Sequence, residues 1–159
     1  MKRLLALLLV LATCIGTTAL AAPLEKPYDA SANANAEIAA AFTKAKQDHK
    51  PLLIFFGANW CPDCRALAKS LGSGKNAALI ARHFNVVKVD VGNFDRNLDV
   101  AQRYGDPIKK GIPAAVIVAP DGKLLYATAA GELANARTMS NAGVYQFFAD
   151  RLAALKKGG

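Results

Sequence analysis

Cys61 and Cys64 stand three positions apart in the run Trp60-Cys61-Pro62-Asp63-Cys64. Residues at that spacing share one face of a helix. A helix that begins at Cys61 sets the two thiols one turn apart, near enough to join as a disulfide. Only a thiolate attacks a disulfide, and an ordinary cysteine with a pKa of about 8.5 is mostly idle at neutral pH. A helix N-terminus changes this, because its N–H groups point at the Cys61 sulfur and favour the anion. Pro62 suits the first turn, where its missing N–H costs nothing. Asp63 opposes the Cys61 anion and Arg65 supports it. Solvent is expected to screen both charges. The chemistry on offer is exchange between a dithiol and a disulfide.

The remaining cysteine, Cys14, lies in a different kind of segment. Lys2 and Arg3 form a short basic start, and Leu4 to Leu11 is an apolar run too short to span a bilayer as a helix. Ala19-Leu20-Ala21 is an A-x-A cleavage pattern, so residues 1–21 read as an export leader cut after Ala21. A competing reading makes Cys14 a lipid anchor, with Thr13 a poor match at the preceding position. Cleavage leaves Cys61 and Cys64 as the only thiols. One close pair closes too small a loop to stabilise a whole domain much, so chemistry explains it better than stapling. The expected location is periplasmic or secreted.

At 159 residues the chain is long enough for one domain with a real hydrophobic core. Its 20 lysines and arginines outnumber 12 acids, but they are scattered and form no dense run. That argues against a nucleic-acid surface. Residues 22–33, with Pro23 and Pro27, read as an extended lead-in, and 34–159 as the domain. Ile38, Phe42 and Ala45 recur at helical spacing over 34–49, with Asn33 or Ser31 as the cap. Pro51 ends that helix, and Leu52 to Phe56 is apolar on both faces, as in a central strand. The helix carrying the cysteines runs from about Cys61 to Leu71, and Gly72-Ser73-Gly74 interrupts it. Asn76 is expected to cap a further helix through Phe84, and Val86 to Asp90 to form a strand. Arg96 to Tyr104 reads as a short helix closed by Gly105-Asp106-Pro107. Ala114 to Val118 and Lys123 to Thr128 read as an antiparallel hairpin across Pro120-Asp121-Gly122. A loop over 131–140 leads to a closing helix, Val144 to Leu155. This order predicts an α/β fold with helices on both faces of a mixed sheet.

Trp-Cys-x-x-Cys after the first core strand, with Ile112-Pro113 about fifty residues later, resembles the thioredoxin superfamily. The likeness covers roughly residues 34 to 155 and is nearest to secreted bacterial thioredoxin-like proteins, including the C-terminal domain of DsbD-type proteins. It implies a three-layer α/β/α sandwich with a mixed central sheet. It implies further that Cys61 is an exposed attacking cysteine and Cys64 the resolving one. Pro113 would be a cis-proline facing the disulfide, with Ile112 pairing to substrate backbone. Trp60 would be the aromatic flank, and Gly131 would fall in the last loop around the substrate groove. Two of the family's features are missing. Phe55 stands where many members carry a buried acid, and Val86 falls where they carry its lysine partner. Asp63 or water would then relay the Cys64 proton.

The resemblance implies a protein disulfide oxidoreductase of reductase or isomerase type. No cofactor is needed beyond the Cys61–Cys64 couple. Its partners would be protein thiols and disulfides, with a membrane or periplasmic dithiol as electron donor and the chain itself a monomer. With Asp63 weakening the thiolate, the expected potential lies nearer about −270 mV than about −120 mV. Two other readings stand beside this one. A thioredoxin fold can serve as a non-catalytic binding module, since fold alone does not set function. Copper or zinc handling is the other, but a structural zinc site wants four ligands, and His49 and His83 are isolated. No metal site is expected.

Overall fold

The computed structural model describes residues 26–157. The leader assigned to 1–21, its cleavage site and Cys14 lie outside the described residues. Helix α1, Ala34–Asp48, starts where the Asn33 side chain accepts the Ala36 N–H at 3.0 Å, and ends at His49 with a left-handed φ of 56°. Strand β1, Leu52–Gly57, is buried along its whole length. It lies second in a four-stranded sheet of order β2-β1-β3-β4, with β2 spanning Asn85–Asp90, β3 Ala114–Val118 and β4 Leu124–Ala127. β1 runs parallel to β2 and antiparallel to β3, and β3 and β4 form the antiparallel hairpin. Full burial on both faces is what this interior position requires.

Successive β1 side chains point to opposite faces and feed two cores. Leu52, Ile54 and Phe56 pack with Val87, Val89, Ala114 and Val116 under Ile38 and Ala45 of α1. Leu53 and Phe55 pack with Ile117 under Leu67, Ile80 and Phe148. Those last three come from α2, Pro62–Leu71, α3, Gly74–His83, and α5, Asn141–Lys157. The result is the three-layer sandwich with a mixed central sheet.

Several boundaries differ from the sequence reading, each for a local reason. Asn76 does not cap α3; Ser73 precedes it, and Asn76 is buried within the first turn, donating to Ser70 Oγ at 2.9 Å and to the Asn141 carbonyl at 3.1 Å. It ties α2 to α5 instead. Helix α4 spans only Leu98–Arg103, because Asn97 is left-handed at φ 53° and donates its side-chain N–H to the Asp90 carbonyl. α5 starts three residues early, since Ser140 Oγ accepts the Gly143 N–H and its carbonyl accepts that of Val144, both at 3.0 Å. The lead-in is part of the packed unit from Tyr28 onward, for Tyr28 sits in the first core beside Ala58.

Candidate functional site

Cys61 is the N-cap of α2, with extended backbone and Pro62 at the first helical position. Its sulfur accepts the Cys64 N–H at 3.1 Å. Cys61 and Cys64 are joined as a disulfide, their Cα atoms 5.2 Å apart. β1 delivers the chain to this point through Gly57, where a Cβ would run into the ring of Tyr28. Asn59 then exchanges two hydrogen bonds with the Tyr28 backbone, at 3.0 and 2.7 Å. The lead-in therefore anchors the approach to the cysteines, a contact that nothing in the local sequence of either residue signals.

The attacking sulfur is less open than the family resemblance implies. Cys61 keeps 3% of its surface exposed, and Cys64 none. Cys61 is thus the one of the pair with a route to solvent. The Ile112 carbonyl oxygen lies 3.5 Å from the Cys61 sulfur, and the Ile112–Pro113 peptide bond is cis. Ile112 and Pro113 are both buried over the disulfide side of β3. Once reduced, a Cys61 thiol has the Ile112 oxygen as an acceptor.

Gly131 reaches this segment from behind. Its φ is +78°, and a Cβ there would lie 2.9 Å from the Lys110 carbonyl oxygen. A Cβ on Gly111, whose φ is +110°, would likewise lie 3.1 Å from the Ala134 side chain in the same crossing. Gly131 therefore lets the 131–140 loop close on the residues leading into Ile112; its close contact is Lys110.

The charged neighbours of the cysteines do different work from the one their spacing suggested. Arg65 Nη1 donates to the Asn59 carbonyl at 2.8 Å and to the Trp60 carbonyl at 3.0 Å. It braces the turn before α2 and is committed there. Asp63 is buried, which overturns the expectation that water screens it. Its Oδ1 accepts the Arg137 N–H at 2.9 Å and sits 3.8 Å from the Arg137 guanidinium. The carboxylate thus faces the 131–140 loop, and its charge is offset by Arg137. The strand neighbour of Phe55 on β2 is Lys88; Val86 lies beside Leu53. The lysine opposite Phe55 is thus present, two residues on from the position first assigned, because β1 and β2 pair from Leu52 with Asn85 onward.

Trp60 stands 52% exposed, with Nε1 donating to the Gly92 carbonyl at 2.8 Å. Phe94 lies against it, ring centroids 6.3 Å apart, edge to face. Phe94 was missed in the sequence; an aromatic among the turn formers Gly92, Asn93 and Asp95 was the signal for it. Among the described residues no three His, Cys, Asp or Glu side chains gather as a metal-ligand set.

Comparison with known proteins matches this architecture. Residues 33–120 fit the sequence pattern of the thioredoxin-like family. The crystal structure of a disulphide isomerase from Xylella fastidiosa Temecula1 is 60% identical, with a TM-score of 0.79 over 80% of this chain and 98% of that one. A thioredoxin from Thermus thermophilus, 20% identical, shares the fold at a TM-score of 0.52 over 76% of this chain and 85% of that one. A protein described as probable nucleoredoxin 3, from Oryza sativa subsp. japonica, is 30% identical over 94 residues, 47% of this chain. The match spans only 20% of that longer relative. The chain belongs to the thioredoxin-like family, and the Cys61–Cys64 disulfide at the head of α2 makes it a thiol–disulfide oxidoreductase.

Proposed function

We propose that the chain is an exported oxidoreductase that reduces or isomerises protein disulfides through Cys61 and Cys64. The observation that carries this reading is the disulfide at the N-cap of α2, its Cys61 sulfur already accepting the Cys64 N–H. The same N–H stabilises a Cys61 thiolate once the pair is reduced. Identity of 60% with a disulphide isomerase supports the isomerase side. The Lys2-Arg3 start, the Leu4–Leu11 run and Ala19-Leu20-Ala21 support export.

In the reduced enzyme, Cys61 thiolate attacks one sulfur of a target disulfide. That S–S bond breaks, the departing target sulfur takes up a proton, and a mixed disulfide joins Cys61 to the target. For reduction, the Cys64 thiolate attacks the Cys61 sulfur, and the second target sulfur leaves as a thiol. Two electrons and two protons pass to the target, and Cys61–Cys64 is left oxidised. For isomerisation, the thiolate freed in the first step attacks a second target disulfide, the thiolate released there attacks the target sulfur bound to Cys61, and Cys61 departs as the thiolate with no net electron transfer. The reductive branch needs a dithiol donor, membrane-bound or periplasmic, to restore Cys61 and Cys64. No cofactor enters either branch, and one monomer supplies both enzyme sulfurs, Cys61 and Cys64.

Cys61→Ser should abolish reduction of insulin disulfides. Cys64→Ser should accumulate a mixed disulfide visible by mass spectrometry. A Cys64→Ser protein that forms no adduct with any disulfide substrate would remove the proposed order of attack. Equilibration with glutathione should give a potential nearer about −270 mV than about −120 mV. A value at the oxidising end would make the chain a primary oxidant.

A further inference from the structure

The end of the sheet opposite the disulfide gathers positive charge around apolar side chains. The six residues of β1 hold the two ends about 20 Å apart. Cys61 lies just past its last residue, whereas Lys50 and Pro51 precede its first. At the Lys50 end an open recess of about 330 Å³ is lined by Lys50, Arg82 and Lys156 together with Leu125, Leu152 and Leu155. Arg82 and Lys156 stand in the last turns of α3 and α5. Leu125 is 37% exposed, and Leu152 and Leu155 are half-buried. The three cations all act on the His83 ring, which shares the recess, and no acid offsets them there. Helix C-termini attract cations on their own account, and Lys50 Nζ does donate to the Ala81 carbonyl at 3.3 Å. Arg82 and Lys156 form no ion pair among the described residues. The acids at this end are tied elsewhere: Asp48 accepts from the Asn85 side chain and the Lys50 N–H, and Asp121 accepts the Lys123 N–H.

We infer that this end of the molecule docks on an anionic phospholipid bilayer, with lipid phosphates meeting Lys50, Arg82 and Lys156 while Leu125 and Leu155 enter the boundary of the acyl chains. Cations interleaved with apolar side chains match a surface that is negative at its headgroups and apolar just beneath them. A hydrophilic polyanion answers only the charge and leaves the leucines against water. Docking in this way turns the disulfide away from the lipid by the length of the sheet, so Cys61 stays open to polypeptides in solution. The inference stands apart from the exchange reaction proposed above, because none of the docking residues belongs to the cysteine end.

The test uses the chain from Ala22, the expected mature form, which keeps both cores and lacks the apolar run Leu4–Leu11. It should sediment with vesicles of phosphatidylglycerol and phosphatidylcholine in equal parts, and stay in solution with phosphatidylcholine alone. Sodium chloride should release it by screening. Arg82→Gln and Lys156→Gln should each weaken partitioning about fivefold. Leu125→Ser should weaken it at unchanged charge. Arg103→Gln removes the same charge beside Asn35, at the start of α1 and the disulfide end, and should leave partitioning as in the parent. Trp60, the single tryptophan, also lies at the disulfide end, so its emission maximum should not move when vesicles bind. Urea midpoints equal to the parent's establish that each variant is folded. Equal binding to the two kinds of vesicle overturns the inference, as does a blue shift of Trp60, or an Arg103→Gln loss as large as that of Arg82→Gln. Tighter binding to polyglutamate than to the vesicles would make the partner an acidic polypeptide. Release by inorganic phosphate, at an ionic strength where chloride does not release, would make the site a pocket for the phosphate alone. Either result also overturns docking on a bilayer.

Discussion

Asp63 is the residue whose surroundings change its meaning most. As a neighbour in the chain it opposes a Cys61 anion; in the fold its carboxylate is turned to Arg137 and holds the 131–140 loop against α2. A hydrogen bond to a charged acceptor contributes about 1.5–3 kcal/mol. Asparagine keeps an acceptor and loses the charge. Asp63→Asn should therefore cost about 1 kcal/mol, read as a lower urea midpoint, with faster hydrogen exchange at the Arg137 amide. If Asp63 instead acted as the proton relay for Cys64, the variant would shift the pH profile of thiol exchange while the Arg137 amide stayed protected. Arg65 is likewise committed to backbone carbonyls, so its contribution lies in the shape of the turn that presents Cys61.

Helix α2 is set in place by pieces remote from it in sequence. Tyr28 and Asn59 hold the strand end, Asn76 bridges Ser70 to α5, and the 131–140 loop rests on Asp63. The same loop supports the Ile112 segment through Gly131 and Lys110. Gly131→Ala places a Cβ on left-handed backbone and against a carbonyl oxygen. A cost of about 2 kcal/mol in urea unfolding is expected, from strain and crowding together. Because Lys110 leads directly into Ile112 and Pro113, the substitution should also raise KM for protein disulfides more than it lowers kcat. A fully stable Gly131→Ala protein would show that the two loops have room to move apart.

Titration of the molecule as a unit follows from groups away from the cysteines. Burial lowers the pKa of His83 below 6.5, and the charges of Lys156, Arg82 and Lys50 add to the effect. The unfolded chain then binds a proton at this site more readily than the native one, so stability increases as pH rises from the native pKa to 6.5. Asp48 is held below its ordinary 3.8 by the Asn85 side chain, and Asp29 by Ser31. Their contribution is present above that value and is lost as pH falls through the lowered ones. Urea midpoints should climb as pH rises toward 6.5 and level off above it, and His83→Gln should flatten that climb. An unchanged slope would mean that the ring is as well solvated in the native state as in the unfolded chain. The layered architecture around these groups was readable from periodicity and punctuation: an apolar run for β1, caps and prolines at helix ends, and a Cys-x-x-Cys pair at a helix start. Such signals lie within a few residues of one another, where backbone geometry alone links pattern to shape. The partners that tune the site do not. Asp63 meets Arg137 74 residues away, Trp60 meets Gly92 32 away, and Tyr28 meets Asn59 31 away. No local period encodes those distances; they exist only because packing the two faces of the sheet brings their loops to one end.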